Sequence, residues 1–248
     1  MNSRVKSIII NKPLLIVEMG KTFAEISEQH GEFSEWIQNI LSDTYCETVN
    51  PRTQLLPNPL HYSGIILTGS HDMVTMRQVW SEKTSEWLHI CRRLKCPILG
   101  ICYGHQLLAQ SFGGWVAENP KGLEIGTQVI QLTEHAHHDE IFKHLPQTFN
   151  AHLVHYQSVM QLPTGAKVLA YNQHDQYQAY RLDDCIWGVQ FHPEFHLAAM
   201  HGYLDIVSKS EESCCDQAEV KHTHNAKEVL VNFKRFCEDK MTTTQQMN

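Results

Sequence analysis

The sequence predicts an α/β protein whose central, mostly parallel sheet is covered by helices and extended by an antiparallel portion. Short apolar runs rich in β-branched residues alternate with helical patterns through the first half, which is typical of a parallel sheet. In the second half, strand-like runs follow one another across polar turns, which indicates antiparallel pairing. The 248 residues, 42% of them hydrophobic, suit one domain over 1–248 with a core at about 13–206.

The elements of the first half follow from apolar spacing. The strands are short apolar runs, and one of them, 64–68, stops at Gly69. The helices place apolar residues three and four positions apart, as Phe33, Trp36 and Ile37 do. In chain order we expect strand 14–17, helix 33–41, strand 45–49, strand 64–68, helix 80–94, strand 97–101 and helix 105–112.

The second half is predicted to be rich in strands and to end in helices. The expected strands are 115–117, 127–132, 168–171, 178–182 and 186–191. A helix follows Phe195 to about Leu204. The polar stretch 209–225 has few apolar residues and is expected to be a mobile insertion. A closing helix is predicted over 226–238, and the tail 241–248 is expected to be disordered.

Composition narrows the classes of partner and compartment. The formal net charge of −7 offers no electrostatic basis for nucleic-acid binding. Eight cysteines show no disulfide spacing, so reduced thiols are expected. No apolar run reaches the ~18 residues of a membrane span. The apolar start is interrupted at 11–13 and has no small-residue cleavage site, so no leader is expected. We therefore expect a cytoplasmic protein.

One cysteine stands where an apolar strand gives way to a helical pattern. Cys102 lies between Gly100 and Gly104, and small residues allow a strand to pack closely on the following helix. The first turn of a helix lowers the pKa of a thiol through its backbone N–H groups. The pattern favours a nucleophile elbow, and the plain alternative is a buried cysteine in a tight turn.

A second motif supplies a base and its orienting acid. His192 and Glu194 lie two residues apart, and Pro193 between them stiffens the segment. A carboxylate that holds an imidazole and stabilises its protonated form completes the set needed for cysteine acyl transfer. The alternative is a surface loop with an incidental acidic neighbour.

Together the two motifs resemble those of the class I, triad-type glutamine amidotransferases, which share G-x-C-x-G-x-Q and a later F-H-P-E. The match runs from about Leu14 to Phe195. The chain is similar to free-standing members related to the glutaminase domain of GMP synthetase and to plant γ-glutamyl peptidases. The resemblance implies a flavodoxin-like three-layer sandwich, with Cys102 as nucleophile, His192 as acid/base and Glu194 as its orienting residue.

Acyl transfer also needs hydrogen-bond donors for the developing oxyanion. The backbone N–H of Tyr103, directly after the nucleophile, is one candidate. In the family a second donor comes from a Gly-Gly-Pro loop after an earlier strand. The corresponding residues here are Gly69, Ser70 and His71, so the resemblance implies the backbone N–H of Ser70. The alternative is an ordinary turn after a strand.

Substrate-binding residues are implied on three segments. Gly69 belongs to the loop just described. Gln106 lies one helical turn after Cys102 and can face the same pocket; in the family the matching glutamine contacts the substrate's glutamine moiety. The segment with His155, Gln157 and Ser158 resembles one that binds the amino-acid end of the substrate. Gln157 replaces the acidic residue of some relatives, which implies a different recognition of the substrate ammonium.

A histidine-rich segment invites a metal hypothesis. His135, His137 and His138 precede Asp139, but no second ligand cluster accompanies them. Asp139 as the cap of a helix through 141–145 explains the segment better. The sequence therefore predicts no metal and no cofactor.

The expected activity is hydrolysis of the side-chain amide of glutamine, or of a γ-glutamyl compound, through a Cys102 thioester. One alternative is a free-standing γ-glutamyl peptidase. A glutaminase could instead deliver ammonia to a separate synthetase chain. A third alternative is a regulatory binding module on the same scaffold that has lost turnover.

Overall fold

The computed structural model describes residues 12–210 and 219–246. Within them, nine strands form one sheet in the order β2-β1-β3-β4-β11-β10-β9-β6-β7, and β5 pairs with β8. The strands are β1 (Leu14–Val17), β2 (Cys46–Val49), β3 (Gly64–Leu67), β4 (Ile98–Ile101), β5 (Trp115–Glu118), β6 (Glu124–Leu132), β7 (Thr148–His155), β8 (Gln157–Gln161), β9 (Lys167–Tyr171), β10 (Ala179–Leu182) and β11 (Ile186–Val189). The helices are α1 (Ala24–His30), α2 (Phe33–Ile40), α3 (Val79–Arg93), α4 (Tyr103–Ser111), α5 (Leu197–Ser210) and α6 (His224–Gln246).

The sheet has a parallel centre and an antiparallel flank. Strands β2, β1, β3, β4 and β11 run parallel to one another. Strands β10, β9, β6 and β7 continue the sheet by antiparallel pairing. The predicted α/β class, with a mostly parallel centre and an added antiparallel portion, is confirmed.

Helices cover both faces of the parallel centre, which gives three layers. Leu14 and Ile16 of β1 face a cluster that contains α2 and α6. The alternate residues, Leu15 and Val17, face a second cluster with α3 and α4. All four side chains are buried, because successive residues of a strand point to opposite faces and both faces are covered.

The carboxyl-terminal end of the sequence differs from the prediction. Helix α6 extends to Gln246, so 241–246 are helical and the prediction of a disordered tail is wrong there; 247–248 lie outside the described residues. At this polar end of the helix, the hydroxyls of Thr242 and Thr243 donate to carbonyls four residues earlier at 3.1 and 3.0 Å.

The predicted mobile insertion, 209–225, differs from the structure at both of its ends. Residues 209–210 belong to α5, and 211–218 lie outside the described residues. The chain then runs along β6, where Thr127 N donates to Glu219 O at 2.9 Å and Lys221 N donates to the Thr127 hydroxyl at 2.9 Å. Segment 219–223 therefore supplies backbone partners to β6.

The predicted helix over 141–145 is not present. A short 3₁₀ helix covers Glu134–His138 and turns follow it. Asp139 caps a turn rather than a helix: it is buried, accepts from Ile141 N at 3.0 Å, and also accepts from the Trp187 indole at 3.1 Å.

In the described ranges no group of three or more histidine, cysteine or carboxylate side chains is arranged to hold a metal ion. None of the helices in these ranges combines the length and the apolar composition of a membrane-spanning segment.

Candidate active site

The site lies at the carboxyl ends of the parallel strands. Cys102 joins β4 to α4 with φ 49° and ψ −101°, a backbone conformation that is costly for a residue with a side chain. Its N–H donates to Val189 O at 2.8 Å, and its carbonyl accepts from Gln106 N at 3.0 Å. The turn is thus held by β11 on one side and by the first turn of α4 on the other.

Two glycines make this turn sterically accessible. A Cβ on Gly100 would lie 2.5 Å from the backbone of Gly104. A Cβ on Gly104 would lie 2.7 Å from both the carbonyl oxygen and the Cβ of Leu67. Helix α4 therefore packs too closely on β4 at Gly100, and on β3 at Gly104, for a side chain at either position, which is the physical reason for the Gly-x-Cys-x-Gly spacing.

His192 and Glu194 come from the segment after β11. Nδ1 of His192 lies 2.7 Å from Oε1 of Glu194, and both residues are buried. The ring packs on Phe195 with a centroid distance of 4.1 Å, and Phe33 lies beyond at 6.1 Å. The backbone N–H of His192 donates to His152 O at 2.8 Å, which anchors the segment to β7.

The imidazole and the thiol meet beside Gly69. A Cβ on Gly69 would lie 3.0 Å from Cε1 of His192 and 3.7 Å from Cβ of Cys102, so a side chain there would crowd the imidazole. Burial lowers the pKa of His192, but the negative charges of Glu194 and of Cys102 outweigh burial and raise it to about 10. A ring that stays protonated at neutral pH stabilises negative charge on the neighbouring sulfur.

Cys102 and His192 open onto a cavity of about 240 Å³. Drug-sized pockets are typically about 300–1,000 Å³, so this cavity suits a ligand of amino-acid size. Its apolar wall consists of Phe23, Phe33, Met73, Val154, Tyr203, Ile206 and Val207. Its polar wall includes Ser70, His71, Asp72, Gln106, His155 and Gln157.

Both predicted oxyanion residues line this cavity. Tyr103 is the first residue of α4, and its side-chain hydroxyl donates to Ser81 Oγ of α3 at 2.8 Å. Ser70 follows β3, and its hydroxyl donates to Asp72 Oδ2 at 2.9 Å. A Cβ on Gly20 would clash with that hydroxyl, so the loop after β1 approaches Ser70 closely.

Gln106 and Gln157 form one wall of the cavity. Nε2 of Gln106 donates to Gln157 O at 2.7 Å and to Gln190 Oε1 at 3.0 Å. Nε2 of Gln157 donates to Thr75 Oγ1 at 2.7 Å. Oε1 of Gln157 is buried and has no hydrogen-bond partner among the described residues. A buried acceptor without a partner is costly, so this oxygen is a natural acceptor for a substrate N–H group.

His155 lies next to Gln157 in the polar wall and contacts its backbone. Its Nε2 lies 2.8 Å from Glu124 Oε2 and its Nδ1 lies 2.9 Å from Gln157 O. Both partners are acceptors, so both ring nitrogens donate and the ring is protonated. Burial lowers the pKa of His155, but the hydrogen bond and charge of Glu124 raise it overall. Burial raises the pKa of Glu124, whereas His155 lowers it, and the net shift is downward.

Ser158 does not line the cavity: its hydroxyl accepts from Asn119 Nδ2 at 2.9 Å behind β8. Glu124 was not among the predicted site residues; its place between two glycines, at 122 and 126, was the available signal. Neither was Arg52, for which no sequence signal exists, because its partners Met19, Ser70 and Asp72 are distant along the chain.

The fold and this cysteine–histidine–glutamate arrangement define an amidotransferase-type site, and comparison with known proteins agrees. The family model for glutamine amidotransferase class-I matches residues 27–205. The chain belongs to the class I glutamine amidotransferase family.

Its relatives include one of the subunits of glutamine-hydrolyzing GMP synthase from two archaea. The Methanococcus aeolicus protein is 32% identical over 175 residues, which cover 70% of this chain and 73% of the relative. The Methanocaldococcus jannaschii protein is 33% identical over the same coverage. A glutamine amido transferase structure from Methylobacillus flagellatus has a TM-score of 0.71 at 22% identity, over 91% of this chain and 95% of that one, and shares the fold.

Proposed function

We propose that the protein hydrolyses the side-chain amide of glutamine, or of a γ-glutamyl compound, through a thioester on Cys102. The observation that carries the proposal is that Cys102 and His192 line one cavity of amino-acid size, with Glu194 hydrogen-bonded to the His192 ring. The sulfur attacks the amide carbonyl carbon. The backbone N–H groups of Ser70 and Tyr103 would stabilise the oxyanion that develops.

The histidine then moves the protons. Protonated His192 donates its proton to the departing amine as the C–N bond breaks, which leaves a thioester on Cys102 and a neutral ring. The neutral ring takes a proton from water, which attacks the thioester and releases glutamate. Glu194 orients the ring and stabilises its charged form in both steps. Of the predicted binding residues, Gln157 is the proposed acceptor for the substrate's amino group, beside Gln106 and Gly69.

The test is turnover by the purified chain. Glutamine and γ-glutamyl dipeptides are supplied, and released amine and glutamate are measured separately. Cys102→Ala is expected to abolish both products, because no other cysteine among the described residues lines the cavity. Cys46→Ala, which removes a half-buried thiol at the far end of β2, is the control and is expected to retain wild-type rates. Full turnover by Cys102→Ala would refute the mechanism.

A free-standing γ-glutamyl peptidase is the second candidate. Phe23, Tyr203, Ile206 and Val207 form an apolar wall that would favour a larger leaving group than ammonia. The names of the relatives support the other candidate, a glutaminase that serves a separate synthetase chain. A peptidase cleaves γ-glutamyl amides unaided, whereas a partner-dependent glutaminase is nearly idle alone. A protein that binds glutamine but resists alkylation of Cys102 by a glutamine-analogue electrophile would be a binding module.

A further inference from the structure

Arg52 ties together three loops at the carboxyl end of the sheet. It lies in the turn after β2. Its Nε and Nη2 donate to the carbonyl of Met19, after β1, at 3.1 and 2.8 Å. Nη2 also lies 3.4 Å from Ser70 Oγ, after β3, and is ion-paired with Asp72. An arginine that meets a carbonyl, a hydroxyl and a carboxylate at once restricts the loops that carry them.

The contacts continue from Arg52 into a closed ring of side chains. Asp72 accepts from the Gln78 amide at 2.7 Å, and Gln78 accepts from the Trp80 indole at 2.6 Å. The Trp80 ring lies under the guanidinium of Arg52, 4.0 Å from ring centroid to Cζ. Hydrogen bonds and a cation–π contact thus return to the residue from which they started.

This closed ring of side chains contacts both residues that carry the proposed oxyanion donors. Ser70 donates its hydroxyl to Asp72 at 2.9 Å, and Asp72 N donates back to that hydroxyl at 3.1 Å. On the other side, Trp80 stacks on Tyr103 with centroids 5.5 Å apart and planes 27° apart. The two residues whose backbone N–H groups would hold the oxyanion are therefore connected through Asp72, Gln78 and Trp80, with Arg52 closing the ring.

We propose that Arg52 is a positioning residue for acyl transfer, which holds Ser70 and Tyr103 at the spacing that the oxyanion requires. The inference rests on the proposed function. It also accounts for the departure from the family's Gly-Gly-Pro loop. The Ser70 hydroxyl is hydrogen-bonded to Asp72, and the closed ring of side chains that contains Arg52 supplies the rigidity that a proline would otherwise give. A misplacement of about 1 Å costs up to about 100-fold in rate.

The test separates a reaction that develops an oxyanion from one that does not. 4-Nitrophenyl acetate acylates a cysteine through a tetrahedral oxyanion: the sulfur bonds to the acetyl carbon and 4-nitrophenolate leaves. Iodoacetamide alkylates the same sulfur by displacing iodide, with no oxyanion. Both rates are measured at Cys102 by peptide mass, with Cys102→Ala as the blank.

Arg52→Ala is expected to slow acylation about 10- to 100-fold and to change alkylation by less than about 2-fold. Arg52→Lys keeps a charge for Asp72 but lacks the fork, so an intermediate loss is expected. The matched control is Arg92→Ala, because Arg92 also pairs with a carboxylate, Asp183, and stacks on a ring, Phe112. The exposed fractions of the two arginine side chains are 31% and 33%.

Each result has a definite meaning. Equal losses of acylation and alkylation would show that Arg52 only maintains the fold of the site, and unchanged acylation would show that it positions nothing; either overturns the proposal. Wild-type protein that is alkylated but not acylated would overturn it too, because no oxyanion site would be present. The ester carries no glutamyl group, so wild-type acylation without turnover of glutamine or γ-glutamyl amides would refute the proposed function alone.

In steady state with glutamine, the same variant provides a second readout. Arg52→Ala is expected to lower kcat while KM changes by less than about 2-fold, since the oxyanion contact exists only in the transition state. A rise in KM at constant kcat would instead assign Arg52 to substrate binding.

Discussion

His192 sits in an environment that burial alone would make unfavourable for its charged form. Burial lowers its pKa, whereas the charges of Glu194 and Cys102 raise it, and the result is about 10. The charge of the ring therefore depends on groups within its own site. Removing one of them changes the pH range in which His192 can act as an acid.

Glu194→Gln is expected to move the alkaline limb of the kcat/KM profile to lower pH. The lost negative charge lowers the pKa of His192, so the ring gives up its proton earlier as pH rises, and the proton needed by the departing amine is missing. We also expect kcat to fall by at least about 100-fold, because the amide no longer stabilises the charged ring. The measurement is the rate profile from neutral to alkaline pH.

The control is Glu140→Gln, which alters an exposed carboxylate paired with Lys143 and should leave the profile unchanged. An alkaline limb that stays in place in Glu194→Gln would contradict the assignment of Glu194.

Strand β6 couples the antiparallel flank to the site through one buried pair. Glu124 opens β6, and His155 ends β7 directly opposite it. Glu124 also accepts from Gln178 Nε2 at 2.8 Å and from Asn172 Nδ2 at 2.5 Å. Donors from β7 and from the turns next to β9 and β10 thus bind one carboxylate. The wall formed by Gln157 depends on this carboxylate through His155.

Glu124→Gln is expected to lower the free energy of unfolding by about 1–3 kcal/mol near neutral pH, because buried donors lose a charged acceptor. The pKa of Glu124 is lowered, so its contribution is lost as pH falls below the ordinary range of a glutamate. The pKa of His155 is raised, so its contribution is lost as pH rises above the ordinary histidine value.

The difference between wild type and Glu124→Gln should therefore be largest between those two ordinary values, as measured by chemical denaturation at several pH values. The exposed variant Glu140→Gln should change stability by no more than about 1 kcal/mol. A difference that does not depend on pH would argue that the pair is not ionised.

Sequence patterns predicted most elements but not all. The strands of the parallel centre are continuous apolar runs, so their positions were predictable. Strands β7 and β8 were missed because His152, His155, Gln157 and Ser158 interrupt the apolar pattern. These polar residues are nevertheless buried, and their partners come from other strands and loops.

At the scale of the whole molecule, α6 closes one face of the sheet. Ala226, Val229, Leu230, Phe233 and Cys237 belong to the cluster that contains β1 and β4. A Cβ on Gly64 would clash with the Cys237 sulfur and would lie 3.3 Å from the Phe233 ring. The helix from the end of the sequence is therefore in direct contact with the central sheet.

Phe233→Ala is expected to lower the free energy of unfolding by about 3–5 kcal/mol, because it leaves a cavity between α6 and the sheet. Glu238→Ala on the same helix removes a half-exposed side chain and should cost about 0.5 kcal/mol or less. Chemical denaturation of the two variants provides the comparison. A loss below about 1 kcal/mol in Phe233→Ala would contradict the role of α6 as a layer of the core.

The fold class and the candidate residues Cys102, His192 and Glu194 could be predicted from the sequence, because apolar periods and short motifs are local features of the chain. Three features could not be predicted: the ring of side chains that contains Arg52, the Glu124 carboxylate paired with His155, and the apolar wall of the cavity. They join residues from different loops and strands, and contacts between distant segments leave no periodic signal in a chain. Their positions depend on how the strands pair and how closely the helices pack.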